Sequence, residues 1–536
     1  MDSLSFFDSS IGTSDLIFFF SILLITYIGY FYFSYLTREN PLPGPLPLPF
    51  VGNIIDRGFD NFIEYTERMR EKYGDMFEIY FGPKRFIMLS KYEHIASMFG
   101  YSLNSKYMRR VPRLAGLEEL DIAGKGVALN HNVNTWKYNR QFISRSLLAP
   151  SFSEYAAIWT QRLVKEMMEF WKEASNDDGC FETDLVEWAH RFTTDSITHF
   201  TTGKRIHAVE ALHVELLASK NKRLSTNNLT NATRIFKSIR TLVVGIYFFI
   251  IVPSWMRNYL PFLSNTTKNY LENRDWLFNK LDEIIKQRRR EIEHTPRDQP
   301  LRLDMLTSMI TINTNRNIRK FDEHCKPLTD EEIRGTLWET WVAGMDTTAN
   351  LFTFIVYHLA HYPDILKRLR EELDQFFEKL GDRQLDYKSL SELVYTEAIL
   401  KEVSRILTPA PYTARNSTAE DILEGRVWPE ETQYIINLHG INHSKELWDK
   451  PEEFDPDRWL NNTKSEKLMP YVVFGGGRRV CPGRKLTIIE LKCLIALIYH
   501  KLDIELVDEK APLKTRFILL RSFYDLQVRI KSRKID

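Results

Sequence analysis

The ten residues from Phe474 to Gly483, FGGGRRVCPG, set a cysteine among three consecutive glycines, two arginines and a proline. Such a run suits neither helix nor strand, because glycine loses the most backbone entropy on ordering and proline donates no backbone hydrogen bond. It does suit the holding of an anionic sulfur. A cysteine that ligates a metal does so as thiolate, and a thiolate among apolar residues is costly unless a cation and hydrogen-bond donors stabilise it. Glycines let backbone N–H groups approach the sulfur, and arginines supply charge for nearby carboxylates. Cys481, framed by Phe474, Gly477, Arg479 and Gly483, is therefore a candidate metal ligand, with an inert buried cysteine in a solvated arginine loop as the plainer alternative. The other cysteines, Cys180, Cys325 and Cys493, form no CxxC pair, which fits a reducing compartment better than a disulfide framework. Cys493, in LKCLIALIYH, reads as packing.

A second candidate lies between Thr329 and Pro363. Thr329 with Glu332 makes a capping box, acids fill the first turn and no proline follows until Pro363, so one helix of about 31 residues, roughly 46 Å long, is predicted. In its middle AGMDTT, Ala343 to Thr348, interrupts the apolar segments LWETWV and LFTFIVY with poor interior helix residues. A local rule broken inside a consistent element marks function or strain; a helix that tolerates a glycine and exposes an acid is the plainer alternative. Glu402 and Arg405, three residues apart in KEVSR, share one helix face and by themselves describe no more than a surface ion pair.

Together these stretches resemble the cytochrome P450 superfamily in its microsomal, membrane-anchored form. Phe474, Gly477, Arg479, Cys481 and Gly483 satisfy every specified position of F-x-x-G-x-R-x-C-x-G, and the other matches follow in the family's order along nearly the whole chain. The resemblance implies haem b with Cys481 as axial thiolate. It casts Asp346 and Thr347 as the acid and alcohol that relay protons to oxygen, on the helix that carries Gly344. Trp136 and Arg140 match W-x-x-x-R, where both reach a haem propionate, and Arg415 stands where a further propionate ligand often occurs. Glu402 and Arg405 match E-x-x-R, which with Arg458 of the P-x-R-[FW] segment (Pro456, Arg458, Trp459) braces the haem loop. Two positions depart from the family pattern: Thr487 replaces a common alanine, and LTPAP at Leu407 to Pro411 replaces L-x-P-P-x-P.

The implied reaction inserts one oxygen atom of O2 into a C–H or C=C bond of a lipophilic substrate. Electrons come from NADPH through a separate NADPH–cytochrome P450 reductase, with cytochrome b5 as an optional second donor, because only about 50 residues follow the loop and cannot hold a flavin domain. Arg478, Arg484, Lys485 and Lys137 are candidates for the face that meets it, each being equally readable as solvated charge. Two other readings stay open: an isomerase or dehydratase acting on a peroxide without reductase, and a non-catalytic haem sensor. Asp346 and Thr347 have little use in either.

The elements that must position these residues are legible in outline. Leu16 to Leu36 carries no charge over 21 residues, enough to cross a hydrocarbon core about 30 Å thick. Residues 1–15 hold three aspartates and no basic residue, unlike a cleaved signal, and basic residues follow the span. The expected organisation is a luminal tail (1–15), a transmembrane anchor (16–36), a proline-rich hinge (37–53) and a cytosolic catalytic domain (54–536) on the endoplasmic reticulum. Five alternating prolines in Pro41 to Pro49 make the hinge stiff and extended. The fold class expected is mainly α with a small β-region, its first strands MFEIYFG and RFIMLS at Met76 to Gly82 and Arg85 to Ser90. Leu242 to Val252 is too short to span a membrane and reads as a buried helix or a shallow dip into the lipid interface. Lys286 to Arg290 (KQRRR) reads as a solvated helix face. The sequons at Asn228, Asn231, Asn265, Asn416 and Asn461 stay bare if the domain faces the cytosol. With 72 basic against 71 acidic residues there is no field to attract nucleic acid, which is excluded as a partner.

Overall fold

The computed structural model describes residues 13–534 except 54–60, 101, 103–104, 111, 148, 221–229, 303, 313, 317–325, 461–470 and 511. Cys325 and the sequons at Asn228 and Asn461 lie outside the described residues, as does most of the N-terminal tail.

The helix Thr13–Leu36 is, among the described residues, the one long and apolar enough to cross a membrane. Beyond it the hinge is strapped to the sheet. Glu78, 1% exposed, receives both Arg38 (2.7 Å) and Arg85 (2.6 Å). Its backbone N–H donates to the Pro43 carbonyl at 3.0 Å. Asn53 donates to the carbonyls of Pro45 and Leu46 and accepts from the Tyr80 N–H at 2.7 Å. Stiffness here comes from docking as well as from proline, so packing continues across the expected boundary at residue 53.

Met76–Phe81 and Lys84–Leu89 form the expected antiparallel hairpin, Met76 opposite Leu89. Lys84–Leu89 then pairs in parallel with Gln433–Asn437, which pairs antiparallel with Tyr412–Asn416. A parallel pair needs a crossover, and nearly the whole helical body supplies it.

In that body the long helix Asp330–His361 starts at the expected Thr329–Glu332 capping box. It packs along the buried helix Leu185–Thr202: the Thr193 hydroxyl donates to the Met345 carbonyl at 2.8 Å and the Trp341 indole to Thr201 Oγ1 at 2.8 Å. Helix Thr230–Ile251 buries Leu242, Val243, Ile246 and Phe249, so the buried reading of that stretch holds. The solvated reading of KQRRR fails at Arg288. This residue is 4% exposed, pairs with Asp304 at 2.5 Å and donates to the Thr202 carbonyl at 2.5 Å, because the helix Pro261–His294 turns that face onto the core. Cys493 is fully buried, as expected of a packing residue. Asn416 is also buried, its side chain bonded to Arg109 and to the Glu431 carbonyl, which closes that sequon in the folded protein.

Candidate functional site

The Cys481 loop is shaped by what glycine alone permits. Gly477 has φ of 60°, and a Cβ there would lie 2.5 Å from the Gly100 carbonyl oxygen; at Gly476 a Cβ would lie 2.5 Å from the Phe99 ring. The two therefore let the loop press against residues 99–100. The turn closes as the Cys481 N–H donates to the Phe474 carbonyl at 2.9 Å, bringing together both ends of the motif. After Gly483 the helix Arg484–Lys501 begins. Burial pushes the Cys481 thiol up, opposed by the backbone N–H groups of Gly483 and Arg484 and by the charges of Arg140 and Arg110.

Around this loop four guanidiniums converge. Arg479 lies over the Trp136 ring at 3.9 Å and donates to the carbonyls of Met108 (2.7 Å) and Val127 (2.9 Å). Arg140, one turn after Trp136 on the helix Val133–Leu147, donates to the Val480 carbonyl at 2.5 Å. Arg110 donates to the Arg479 carbonyl at 3.4 Å. Arg415, 1% exposed, donates to the Ala414 carbonyl at 2.8 Å. Burial and mutual repulsion lower all but Arg110 on both counts, taking Arg140 to about 10, Arg415 to about 9 and Arg479 to about 7; Arg110 is lowered by burial alone. Among the described residues none of the four forms an ion pair with a carboxylate. Arg110 Nε, Arg415 Nε and the Trp136 indole N–H are buried without hydrogen-bond partners. Buried cations with spare donors call for an anion. A haem group, with two propionates and an iron for the thiolate, fits this donor set.

Two contributors here went unnoticed in the sequence. Arg110 lies in no motif. Glu339 carried a faint signal as an acid in the apolar run LWETWV: it is 4% exposed and accepts from the backbone N–H groups of Val127, Ala128 (2.6 Å) and Leu129 (3.0 Å), fixing the segment that Arg479 also grips. Gly126 is required because any side chain there would overlap that carboxylate.

On the long helix the AGMDTT residues part company. The Thr347 hydroxyl donates to the Ala343 carbonyl, one turn back, at 2.8 Å. Gly344 turns toward Ile197 of the buried helix, where a Cβ would come within 2.7 Å, so this glycine serves close helix packing. Asp346 faces His190, with Oδ1 and Nε2 3.4 Å apart, and burial raises its carboxyl above the usual range. The departure at Thr487 proves to be a contact: its hydroxyl lies 3.2 Å from that of Thr348, tying the helix after the loop to the long helix.

Glu402 and Arg405 are no surface pair. Both are fully buried, and Arg405 grips Glu402 with two parallel bonds of 3.0 and 2.9 Å. Arg458 and the Trp459 indole add bonds of 2.8 and 2.9 Å to the same carboxylate. Of the four basic residues considered as a partner face, Arg484 and Lys137 are exposed, whereas Arg478 and Lys485 are half-buried.

The family model described as Cytochrome P450 matches residues 42–526. The chain is 24% identical to isoflavone 2'-hydroxylase of Glycyrrhiza echinata over 93% of each chain, and 24% identical to ferruginol synthase of Salvia miltiorrhiza over 92% of each. It is 27% identical to cytochrome P450 1A1 of Chelon auratus over 86% of this chain and 84% of that one. Among solved structures, retinoic acid-bound cyanobacterial CYP120A1 matches with a TM-score of 0.71 and 19% identity, covering 92% of this chain and 99% of the other. The heme domain of cytochrome P450DA matches with a TM-score of 0.74 and 18% identity, over 92% and 98%.

Proposed function

The chain belongs to the cytochrome P450 family and is a haem monooxygenase; on that premise we propose that it hydroxylates or epoxidises a lipophilic substrate at the endoplasmic reticulum, with electrons from NADPH through a separate reductase. Cytochrome b5 is an optional second donor in this scheme, and the exposed Arg484 and Lys137 are candidate contacts for an acidic partner. The apolar helix Thr13–Leu36 supports membrane attachment with the catalytic domain in the cytosol, and a membrane-dissolved substrate would be delivered there.

The observation that carries the reading is the set of buried and half-buried arginines around Cys481 that, among the described residues, form no ion pair with a carboxylate. In it Cys481 would ligate the iron, and Trp136, Arg140, Arg415 and Arg479, with Arg110, would hold the propionates. When bound, the haem supplies activation of O2 and oxidation of the substrate, which thiolate ligation favours. The chain's own residues do the rest. Phe474, Gly477 and Gly483 present the sulfur and its N–H donors, and Glu402, Arg405 and Arg458 brace the segments behind the loop. Asp346 would hold the carboxyl proton of the relay, and Thr347, whose hydroxyl donates to the Ala343 carbonyl, would turn that hydroxyl to pass the proton to oxygen.

The test is spectroscopic and then catalytic. Cys481→Ala should abolish the red-shifted Soret band of the reduced carbon monoxide complex, and an unchanged band would remove Cys481 from the iron. Product formation should require NADPH and reductase; turnover of a peroxide without either would replace the monooxygenase reading with an isomerase.

A further inference from the structure

Beside the long helix lies a cavity of about 340 Å³ whose lining includes Asp346 of the relay and several residues to which no role has been given. Its polar lining comprises His190, Arg240, Asp346, Asn350, Arg516 and Ser522. Asn350 is 1% exposed, and its Oδ1, like Asp346 Oδ1, has no hydrogen-bond partner. Buried polar groups without protein partners around a cavity of this size are the setting in which water is retained.

His190 is oriented by its own helix. Its Nδ1 lies 2.7 Å from the Val186 carbonyl, which can only accept, so Nδ1 carries the hydrogen and Nε2 is the atom presented to Asp346 Oδ1 at 3.4 Å. A bond across that gap needs one proton, on either the carboxyl or the imidazole. The other charged groups bordering the pair come from three elements. Arg240 of the helix Thr230–Ile251 is paired with Glu187 of the His190 helix at 2.7 Å, and Arg516 of the strand Thr515–Phe517 donates to Ser522 Oγ at 3.3 Å. Tyr270, on the helix Pro261–His294, lines the cavity without a charge. Burial is the largest influence on both groups, lowering His190 and raising Asp346 toward a neutral imidazole beside a protonated carboxyl; the arginines reinforce it at His190, where Arg240 disfavours a second cation, and oppose it at Asp346, where both favour the carboxylate.

We propose that His190 is the positioning residue of Asp346: the two share one proton at the wall of a hydrated cavity, and His190 reprotonates Asp346 after each proton that Asp346 gives up toward Thr347. The proton leaves the carboxyl toward Thr347, a proton arriving through cavity water binds the free lone pair of His190 Nε2, and the imidazolium so formed passes it to the Asp346 carboxylate, which restores the neutral pair with no change in electrons. The inference depends on the relay assigned to Asp346 and Thr347 above.

The experiment uses the full-length, haem-loaded protein and follows two readouts between about pH 5.5 and about pH 9, the range that brackets an ordinary imidazole. The first is the infrared C=O stretch of a protonated carboxyl in the resting protein, identified as Asp346 by its absence in Asp346→Asn. The second is product formed per NADPH. In the wild type the band and the yield should decline together toward alkaline pH as the pair loses its shared proton. His190→Gln keeps a donor toward Asp346 but cannot titrate, and His190→Asn keeps the bond to Val186 while withdrawing from Asp346. Both should move the titration of the band away from its wild-type pH, because Asp346 then titrates alone, and lower the neutral-pH yield by about tenfold, less than the ~10²–10⁴-fold of a general acid–base group removed outright. A wild-type band that does not titrate, or variants that retain the wild-type pH profile, would overturn the role of His190. An Asp346→Asn protein with undiminished yield would instead bring down the relay itself.

Discussion

Arg458 and Glu402, 56 positions apart in the chain, meet at 2.8 Å through Nε and Oε1, on a carboxylate already gripped by two bonds from Arg405. The carboxylate is fully buried and accepts in addition from the Trp459 indole and the Asp455 N–H. Arg405 continues to the Asn442 carbonyl at 2.7 Å, so one acid joins the helix Val394–Ile406 to the segments on either side of residue 450. Removing one partner of a buried ion pair leaves the other charge uncompensated. Glu402→Gln should therefore destabilise the protein by about 3–5 kcal/mol and lower the haem recovered per polypeptide. A normally loaded variant with an unchanged melting temperature would reduce the triad to a redundant contact.

The loop glycines should differ sharply. Gly475 has φ of 70° but open space around its Cβ direction, so Gly475→Ala should cost about 1–2 kcal/mol, the strain of a left-handed alanine. At Gly477 the same strain adds to a clash with the carbonyl oxygens of Gly100 (2.5 Å) and Phe99 (2.6 Å), both backbone atoms that cannot swing aside. Gly477→Ala should then lose most of the carbon monoxide-binding form while Gly475→Ala keeps it, and equal losses would contradict the packing argument.

Thr347→Ala removes a hydroxyl bonded only to its own helix, so haem content should be unaffected. Product per NADPH should fall on the order of ten- to a hundredfold, with the reductant diverted to peroxide. Undiminished product yield would exclude the hydroxyl from proton delivery.

Glu490 offers a pH test remote from the iron. It is 3% exposed, its carboxyl accepts from the Ser196 hydroxyl, and burial pushes it up to about 8. The folded state thus holds a proton that the unfolded chain releases in the ordinary carboxylate range. Stability from this group is complete below that range and declines as pH rises toward 8. Glu490→Gln should remove the dependence, being more stable than the wild type above about pH 8 by up to a few kcal/mol and converging with it in acid. A constant difference at every pH would show that Glu490 is already ionised in the fold.

How much of this was legible beforehand varies with the range of the interaction. Patterns carried by neighbouring residues were readable: the capping box of Thr329 and Glu332, the Met76–Leu89 hairpin, the uncharged run after Leu16 and the loop around Cys481 each depend on contacts within a few residues. Arg288 and Arg110 were misjudged or overlooked for one reason. An arginine looks the same in the chain whether it faces water or a buried acid, and only the facing of its helix or loop decides. The same holds for Gly344, whose role depends on Ile197 being 147 positions away.

What the chain alone determined is the candidate ligand Cys481 and the glycines that let backbone donors approach its sulfur, because these are local demands on φ and on charge. The tertiary structure decided which charges are desolvated together. It made Glu402 a buried junction, it gathered Arg110, Arg140, Arg415 and Arg479 into one cluster without an ion pair to a carboxylate among the described residues, and it turned Asp346 toward His190. Burial and distance between remote residues set those energies, and neither is defined until the helices pack.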